Sequence, residues 1–295
     1  MTRIGVVGNP GAWSSERLAD AVEDRTGFRR LVDPADLTLD TERGCVRENG
    51  EPLGELDALM VKKIGDGYRP HYLERLELLG LVESSGTPVF SPPGAIARAM
   101  DRLTCTLVLQ RSGAPLPPTV VTEDLEEAAA AVERFEEAVL KPLFTSKGRG
   151  MRAVEAGPDL MEELEAFRDG GNPMVYVQQL VEHPGWDLGI AFLDGEHVGT
   201  YARRAADPGS WKTTGSSGAG YAAFDPDPEI VELAREAQAP FGLDFTSVDV
   251  VLSEMGPMVW EVSAFGGFRG LWETRRIDAA QRYVEHVLGR IERDA

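Results

Sequence analysis

Two carboxylates near the end of the chain, Asp249 and Glu261, sit in the stretch with the plainest potential for chemistry. They interrupt two short apolar, β-branched runs, Val248 to Leu252 and Met258 to Ser263, separated by a polar turn at Ser253 to Pro257. Side chains alternate along a strand, so Glu261 and Ser263 share a face, and Asp249 joins them if the strands pair. Carboxylate and hydroxyl oxygens gathered this way suit Mg²⁺, a hard cation that keeps waters and shares its coordination with nucleotide phosphates. Two edge-strand acids facing solvent fit this stretch equally well.

A second group is basic. Lys141 ends a strand and leads into Thr145-Ser146-Lys147-Gly148-Arg149-Gly150, after which another strand resumes. Glycine backbone, hydroxyls and cations in one loop can cover phosphate oxygens, although hairpins also use Gly for turn geometry alone. Lys62-Lys63-Ile64-Gly65 ends an earlier strand at its carboxyl edge, where open α/β sheets bind ligands. A solvated strand end fits those residues as well. Such cations stand out in a chain of net charge −19, with 49 acids against 30 bases. So acidic a surface repels nucleic acid, and no basic stripe with interleaved aromatics runs along it.

The elements that must hold these groups follow from an ordinary globular composition, 42% hydrophobic and 27% charged over 295 residues, enough for two or three lobes. No apolar run is long enough to span a bilayer, and the first residues read as a buried strand and turn, not a signal peptide. Cys45 and Cys105 offer neither zinc spacing nor a disulfide framework, so a reducing, cytoplasmic setting is expected. Residues 1–90 alternate strands (Arg3 to Val7, Leu56 to Lys62, Pro88 to Phe90) with helices (Ser14 to Thr26, capped by Ser14 or Ser15, and Arg69 to Gly80). That alternation predicts a small parallel sheet flanked by helices. Gly94 to Ser112 reads as one helix carrying Asp101 and Arg102, and Asp124 to Ala138 as another. Strands are expected at Met174 to Val181, Trp186 to Phe192 and His197 to Ala202, the last two joined by the Asp194-Gly195 hairpin signal. A Gly/Ser/Thr-rich stretch follows at 209–220, then helices at Pro228 to Phe241 and Ala279 to Arg293 on either side of the acid-bearing strands.

In their order, five blocks resemble the ATP-grasp superfamily, in particular the RimK-like carboxylate–amine ligases. The blocks are Lys62-Lys63-Ile64-Gly65, Ala99-Met-Asp101-Arg102-Leu103, Val139-Leu-Lys141-Pro with its loop, Val177-Gln178-Gln179-Leu180-Val181, and Val248-Asp249 with Trp260-Glu261-Val-Ser263. Closer still, the chain is similar to the ATP-grasp member of the bacterial "GAK system", which shares the ending Ala264-Phe-Gly-Gly-Phe-Arg-Gly270. The resemblance implies a mixed α/β and α+β fold of three lobes: an N-terminal lobe at 1–92, a central lobe at 93–182 and a C-terminal lobe at 183–295. ATP is then held between the last two. Lys141 would contact the α-phosphate side, and Thr145, Ser146, Lys147, Gly148 and Gly150 would close over the β and γ phosphates. Arg102 stands where relatives often carry Lys. Gln178, Gln179, Leu180 and Val181 would form the hinge that reads adenine, and Asp187 would hold ribose. Asp249, Glu261 and Ser263 would bind Mg²⁺ or Mn²⁺.

The reaction implied is ADP-forming: a substrate carboxylate takes the γ-phosphoryl group, and an amine displaces phosphate from the acyl phosphate. It needs no protein nucleophile. Arg203 or Arg204 would steady the transferring phosphoryl group or bind the carboxylate, with Arg269 and Lys63 as further groups for substrate acid. The substrates are small molecules or peptides, with no nucleic acid and no membrane, and a homo-oligomer is left open. Three positions depart from the family pattern: Ser263 replaces an Asn ligand, Gly189 replaces a polar or basic residue, and the Lys212 to Gly220 loop lacks the usual Asn and Arg. The alternatives are a kinase that phosphorylates a hydroxyl and stops there, and a nucleotide-binding partner protein without turnover.

Overall fold

The computed structural model of the chain describes residues 2–205, 211 and 220–294. The loop at 212–219 singled out by its sequence therefore lies outside the described residues. The N-terminal part builds on strand β1 (Ile4–Val7), helix α1 (Trp13–Thr26), β2 (Leu31–Val32), a small antiparallel unit of β3 (Leu37–Asp40), β4 (Cys45–Glu48) and β5 (Glu51–Pro52), then β6 (Ala58–Val61), α2 (Tyr72–Ser84) and β7 (Val89–Phe90). Strands β2-β1-β6-β7 form the parallel sheet that the alternating pattern predicts. Both its faces are covered, so β1 and β6 read as unbroken apolar runs. Ile4, Val6 and Met60 face α1, and Val7, Leu59 and Val61 face α2.

The next segments are α3 (Pro93–Met100), α4 (Arg102–Arg111), β8 (Thr119–Thr122), α5 (Leu125–Phe135), β9 (Glu137–Lys141), β10 (Arg152–Glu155), α6 (Leu160–Asp169) and β11 (Val175–Gln179). The expected single helix over Gly94 to Ser112 is two. Asp101 breaks it by taking an extended conformation and capping α4, its carboxylate accepting the Leu103 N–H at 3.1 Å. Sheet β10-β9-β11-β8, with α5 and α6 on one face, has an apolar core of its own. Helices α3 and α4 instead pack into the large core shared by the N- and C-terminal parts.

The C-terminal part is a five-stranded antiparallel sheet, β14-β13-β12-β15-β16, made from β12 (Trp186–Leu193), β13 (Glu196–Arg204), β14 (Gly220–Ala223), β15 (Phe245–Ser253) and β16 (Gly256–Ser263), with helices α7 (Pro228–Gln238), α8 (Phe268–Arg275) and α9 (Ala279–Asp294). Helix α9 lies along α1, with Tyr283, Val284 and Val287 against Leu18, Ala21 and Val22 and with the ion pairs Arg17–Asp278 and Arg25–Glu285. The N- and C-terminal parts thus share two continuous apolar cores, while the β8–β11 unit stands on its own.

Three local expectations are corrected. Neither Ser14 nor Ser15 caps α1: the N-cap is Ala12, and the fully buried Ser15 Oγ accepts the Asn9 N–H at 3.2 Å. Helix α2 runs later than expected, over Tyr72–Ser84. Helix α5 stops at Phe135 because Glu136 turns to positive φ and β9 begins. Strands β2–β5, β8 and β14 and helices α6 and α8 answer to no expectation from the sequence.

Candidate functional site

The hairpin β15–β16 sets the register of the acids. Asp249 lies directly opposite Glu261, Ser247 opposite Ser263, and an irregularity follows at Val250. On the other side β12 places Gly189 opposite Asp249, and β13 places Arg203 opposite Asp187. Alternation then puts Asp187, Arg203, Asp249 and Glu261 on one face of four adjacent strands. Arg203 joins two of the acids: its Nε donates to Asp187 at 3.1 Å, and its terminal nitrogen lies 2.8 Å from Asp249. Arg204 alternates to the opposite face of the sheet and is itself exposed, so alternation separates the two arginines that the sequence left tied.

Asp249 is 7% exposed, and its Oδ1 has no hydrogen-bond partner among the described residues. Burial and the neighbouring Glu261 and Asp187 push its pKa up to about 7, although Arg203 pulls the other way. A divalent cation relieves such a site, because it offers the positive charge and oxygen coordination that the orphaned atom lacks. Two carboxylates and the Ser263 hydroxyl bordering the same space suit a hard cation that keeps several waters; among the described residues no cluster of three His, Cys, Asp or Glu forms.

Opposite this sheet, Lys141 at the end of β9 donates from Nζ to Gln178 Oε1, while Gln178 Nε2 donates to Thr119 Oγ1 at 3.0 Å. Burial first, then the charge of Arg102, pull the Lys141 pKa down to about 7. Arg102, 8% exposed, donates from Nε to the Pro142 carbonyl at 3.1 Å and lies 3.5 Å from Glu261. It therefore links the lone β8–β11 unit to the acid-bearing strands. In the hinge stretch the N–H groups of Gln179 and Leu180 are used by the Pro118 and Glu137 carbonyls. The loop Thr145 to Gly150 is folded by Arg149, which donates to Ser146 O at 3.1 Å and Ser146 Oγ at 2.9 Å, and Lys147, Gly148 and Gly150 adopt positive φ.

These groups enclose two adjoining cavities. The first is bordered by Arg102, Lys141, the loop residues Ser146, Lys147 and Gly148, the hinge residues Gln178 to Val181, Asp187, Asp249 and Glu261, with Trp260 as an aromatic wall. The second, about 670 Å³, is bordered by Lys62, Lys63, Arg149, Arg203, Ser263 and Arg269. Ser146, Lys147, Asp249 and Glu261 border both. Of the sequence-predicted residues, Thr145, Gly150 and Arg204 border neither, Thr145 Oγ1 instead bonding the Arg149 carbonyl at 3.0 Å. Burial, then Lys147, lower the Lys63 pKa to about 8. Arg269 is half exposed, over the Trp13 ring at 5.3 Å and 3.8 Å from Glu273.

Trp260 on the first cavity, Tyr68 and Tyr221 on the second, and the burial of Lys62 were not legible in the sequence. The sequence also left Gly189 unexplained. The Tyr201 ring lies across from Gly189 and fills its space, so a Cβ there would come within 2.6 Å of the ring. Gly267 and Gly270 hem the same side chain at 2.6 Å each. The glycine-rich ending after Ser263 is thus the wall of a tyrosine pocket.

Residues 99–287 match the RimK-like ATP-grasp domain. The chain belongs to the RimK-like ATP-grasp family. It is 26% identical to the tetrahydromethanopterin:α-L-glutamate ligase of Methanosarcina acetivorans, covering 97% of this chain and 99% of that one. It is likewise 26% identical to the ribosomal protein bS6–L-glutamate ligase of Escherichia coli O81, covering 97% and 95%. The ATP-grasp ligase PsnB, solved with a precursor variant, Mg and ADP, superposes with a TM-score of 0.74 over 98% of this chain and 99% of that one, at 20% identity. That likeness bears on the fold, which is the mixed α/β ATP-grasp arrangement. This RimK-like protein is an ATP-dependent carboxylate–amine ligase. Among its described residues no helix is long and apolar enough to cross a membrane.

Proposed function

We propose that this ligase is ADP-forming and Mg²⁺-dependent, and that it joins the amine of an acidic amino acid, L-glutamate or a close analogue, to a carboxylate activated as an acyl phosphate. The observation that carries this is the meeting of the two cavities at Ser146, Lys147, Asp249 and Glu261. A nucleotide in the first cavity would present its terminal phosphate to the second, where Lys63, Arg149, Arg203 and Arg269 concentrate positive charge in an otherwise acidic protein. The two relatives are named for different acceptors but share L-glutamate. A dicarboxylic amino acid matches that cationic wall.

Within this reading, Lys141 and Arg102 neutralise phosphate charge, and the Thr145 to Gly150 loop closes over the outer phosphates. Val181 N–H, which makes no backbone hydrogen bond among the described residues, reads the adenine edge, with Trp260 against the base. Asp187, steadied by Arg203, borders the ribose. Asp249, Glu261 and Ser263 hold Mg²⁺, which when bound screens the phosphate oxygens. Arg203 lies where it can leave Asp249 for a transferring phosphoryl oxygen or a substrate carboxylate, and Lys63 and Arg269 hold substrate acid. Lobes at 1–92, 93–182 and 183–295 serve these roles, with the separately cored β8–β11 unit moving as the lid over ATP. Two free cysteines suit a reducing, cytoplasmic setting.

The test is ADP release from Mg·ATP, with a panel of carboxylates, with and without L-glutamate. ADP release that needs both, and falls by about 100-fold or more in Glu261→Gln, is the expected outcome. Amine-independent release with a stable phosphorylated product would make the protein a kinase instead. Failure to bind ATP would overturn the assignment of the first cavity.

A further inference from the structure

Lys62 directly follows β6, is 2% exposed, and borders the substrate cleft. Its Nζ donates to the Gly266 carbonyl on the C-terminal wall and sits 3.7 Å from the centroid of the Phe268 ring and 5.5 Å from that of Phe245. Among the described residues no carboxylate pairs with it, although the chain carries 49 acids. Burying an ammonium without a counter-charge is expensive, and an amine so placed gives up its proton instead. Burial, then the charge of neighbouring Lys63, hold its pKa well below the ordinary lysine value. A neutral amine with one N–H committed to Gly266 keeps a lone pair. The carbonyl and the two aromatic faces are also what a protonated Lys62 needs, so the setting tolerates both states. A lysine serving only to tie two lobes together would gain from an acid partner and need not border a cleft.

Amide formation creates a demand for such a group. The amine substrate is an ammonium near neutral pH and cannot attack until it loses a proton. We propose that Lys62 is the proton acceptor for the amine substrate. The inference rests on the ligase reading above. In the first step R′–NH₃⁺ passes a proton to the Lys62 amine, giving R′–NH₂ and Lys62–NH₃⁺. In the second, the nitrogen lone pair of R′–NH₂ attacks the acyl carbon of R–CO–OPO₃²⁻. The C–N bond forms, the C–O bond to phosphate breaks, and its electron pair leaves with the phosphate oxygen. The remaining nitrogen proton goes to phosphate, giving R–CO–NH–R′ and HPO₄²⁻. Lys62 then returns its proton to solvent.

Hydroxylamine is neutral near pH 7 and traps acyl phosphates as hydroxamates without a base, so it separates the two halves of the reaction. The experiment compares hydroxamate formation with amide formation from L-glutamate and the other amino acids as amines, over a panel of carboxylates, in the full chain with Mg·ATP. Lys62→Gln keeps a donor for Gly266 without basicity, and Lys62→Arg keeps the cation without a usable lone pair. Both are expected to lose about 100-fold in amide formation while hydroxamate formation stays within about threefold of wild type. The wild-type amide rate should also rise with pH along a limb that hydroxamate formation does not show. Equal loss of both products would mean a structural role and overturn the assignment, as would variants that form amide at the wild-type rate and pH profile. Wild type that forms hydroxamate but no amide from any amino acid overturns it too, leaving acyl activation intact. Wild type that forms neither product removes the ligase reading and the Lys62 role together.

Discussion

Replacing Gly270 by alanine in α8 tests whether Tyr201 is truly locked. The added Cβ would lie 2.6 Å from the Tyr201 Cδ2 and Cε2 atoms and 2.7 Å from Cγ, about 1 Å inside ordinary carbon contact. The ring has little freedom to yield, since it is 3% exposed and meets the Gly189 and Gly267 positions at 2.6 Å on other sides. Overpacking of this kind costs about 1–3 kcal/mol, offset by up to ~1 kcal/mol because alanine is the better helix former. The expected net loss is roughly 1–2 kcal/mol, or a Tm drop on the order of 2–6 °C. Denaturant and thermal unfolding of Gly270→Ala, Tyr201→Ala and the double variant would measure it. In the Tyr201→Ala background the clash partner is gone, so Gly270→Ala should become neutral or stabilise by up to ~1 kcal/mol. A change of sign between backgrounds is the signature. Equal effects in both, or a neutral Gly270→Ala in wild type, would refute the packing argument.

Asp249 makes a pH prediction whose sign follows from its raised pKa. With a folded value of about 7 and an ordinary unfolded one, the folded state alone holds that proton between about pH 4 and 7. Its contribution therefore falls as pH rises, by roughly 2 kcal/mol between pH 5 and 7 in metal-free protein. Asp249→Asn should remove that slope, and Mg²⁺ at pH 8 should stabilise wild type but not the variant; parallel unfolding curves would contradict this. Cys105 is 4% exposed, and burial pushes its pKa up to about 12, whereas Cys45 is partly exposed. A thiol reagent at pH 8 should find one reactive thiol in the native protein and the second only on unfolding; two fast thiols would count against the packing of α4.

Several of these contacts were readable from local pattern. Asp249, Glu261 and Ser263 could be placed on one face because strand alternation has period two and a polar break separates the two runs. The turn itself is Glu254-Met255, and the expected turn residues Gly256 and Pro257 belong to β16. The β1 and β6 runs announced a sheet buried on both faces for the same kind of reason. The break at Asp101 was not legible, since the residues on both sides suit a helix and only the capping bond decides where the second one starts. The Arg203–Asp187–Asp249 array was half legible: strand ends located the residues, but nothing local pairs strands that far apart.

The sequence by itself determined the composition of the site, because the acids, cations and glycine loop needed for phosphate chemistry are side-chain types at fixed spacings. It also determined the family, since the order of blocks survives where identity is low. Tertiary structure decided what each group experiences. Whether Lys62 is a solvated strand end or a buried amine on Gly266, and whether Gly189 is a lost function or room for Tyr201, depends on chain segments far apart in sequence. Burial, pairing and steric exclusion arise from those distant contacts, so they appear only once the lobes have packed.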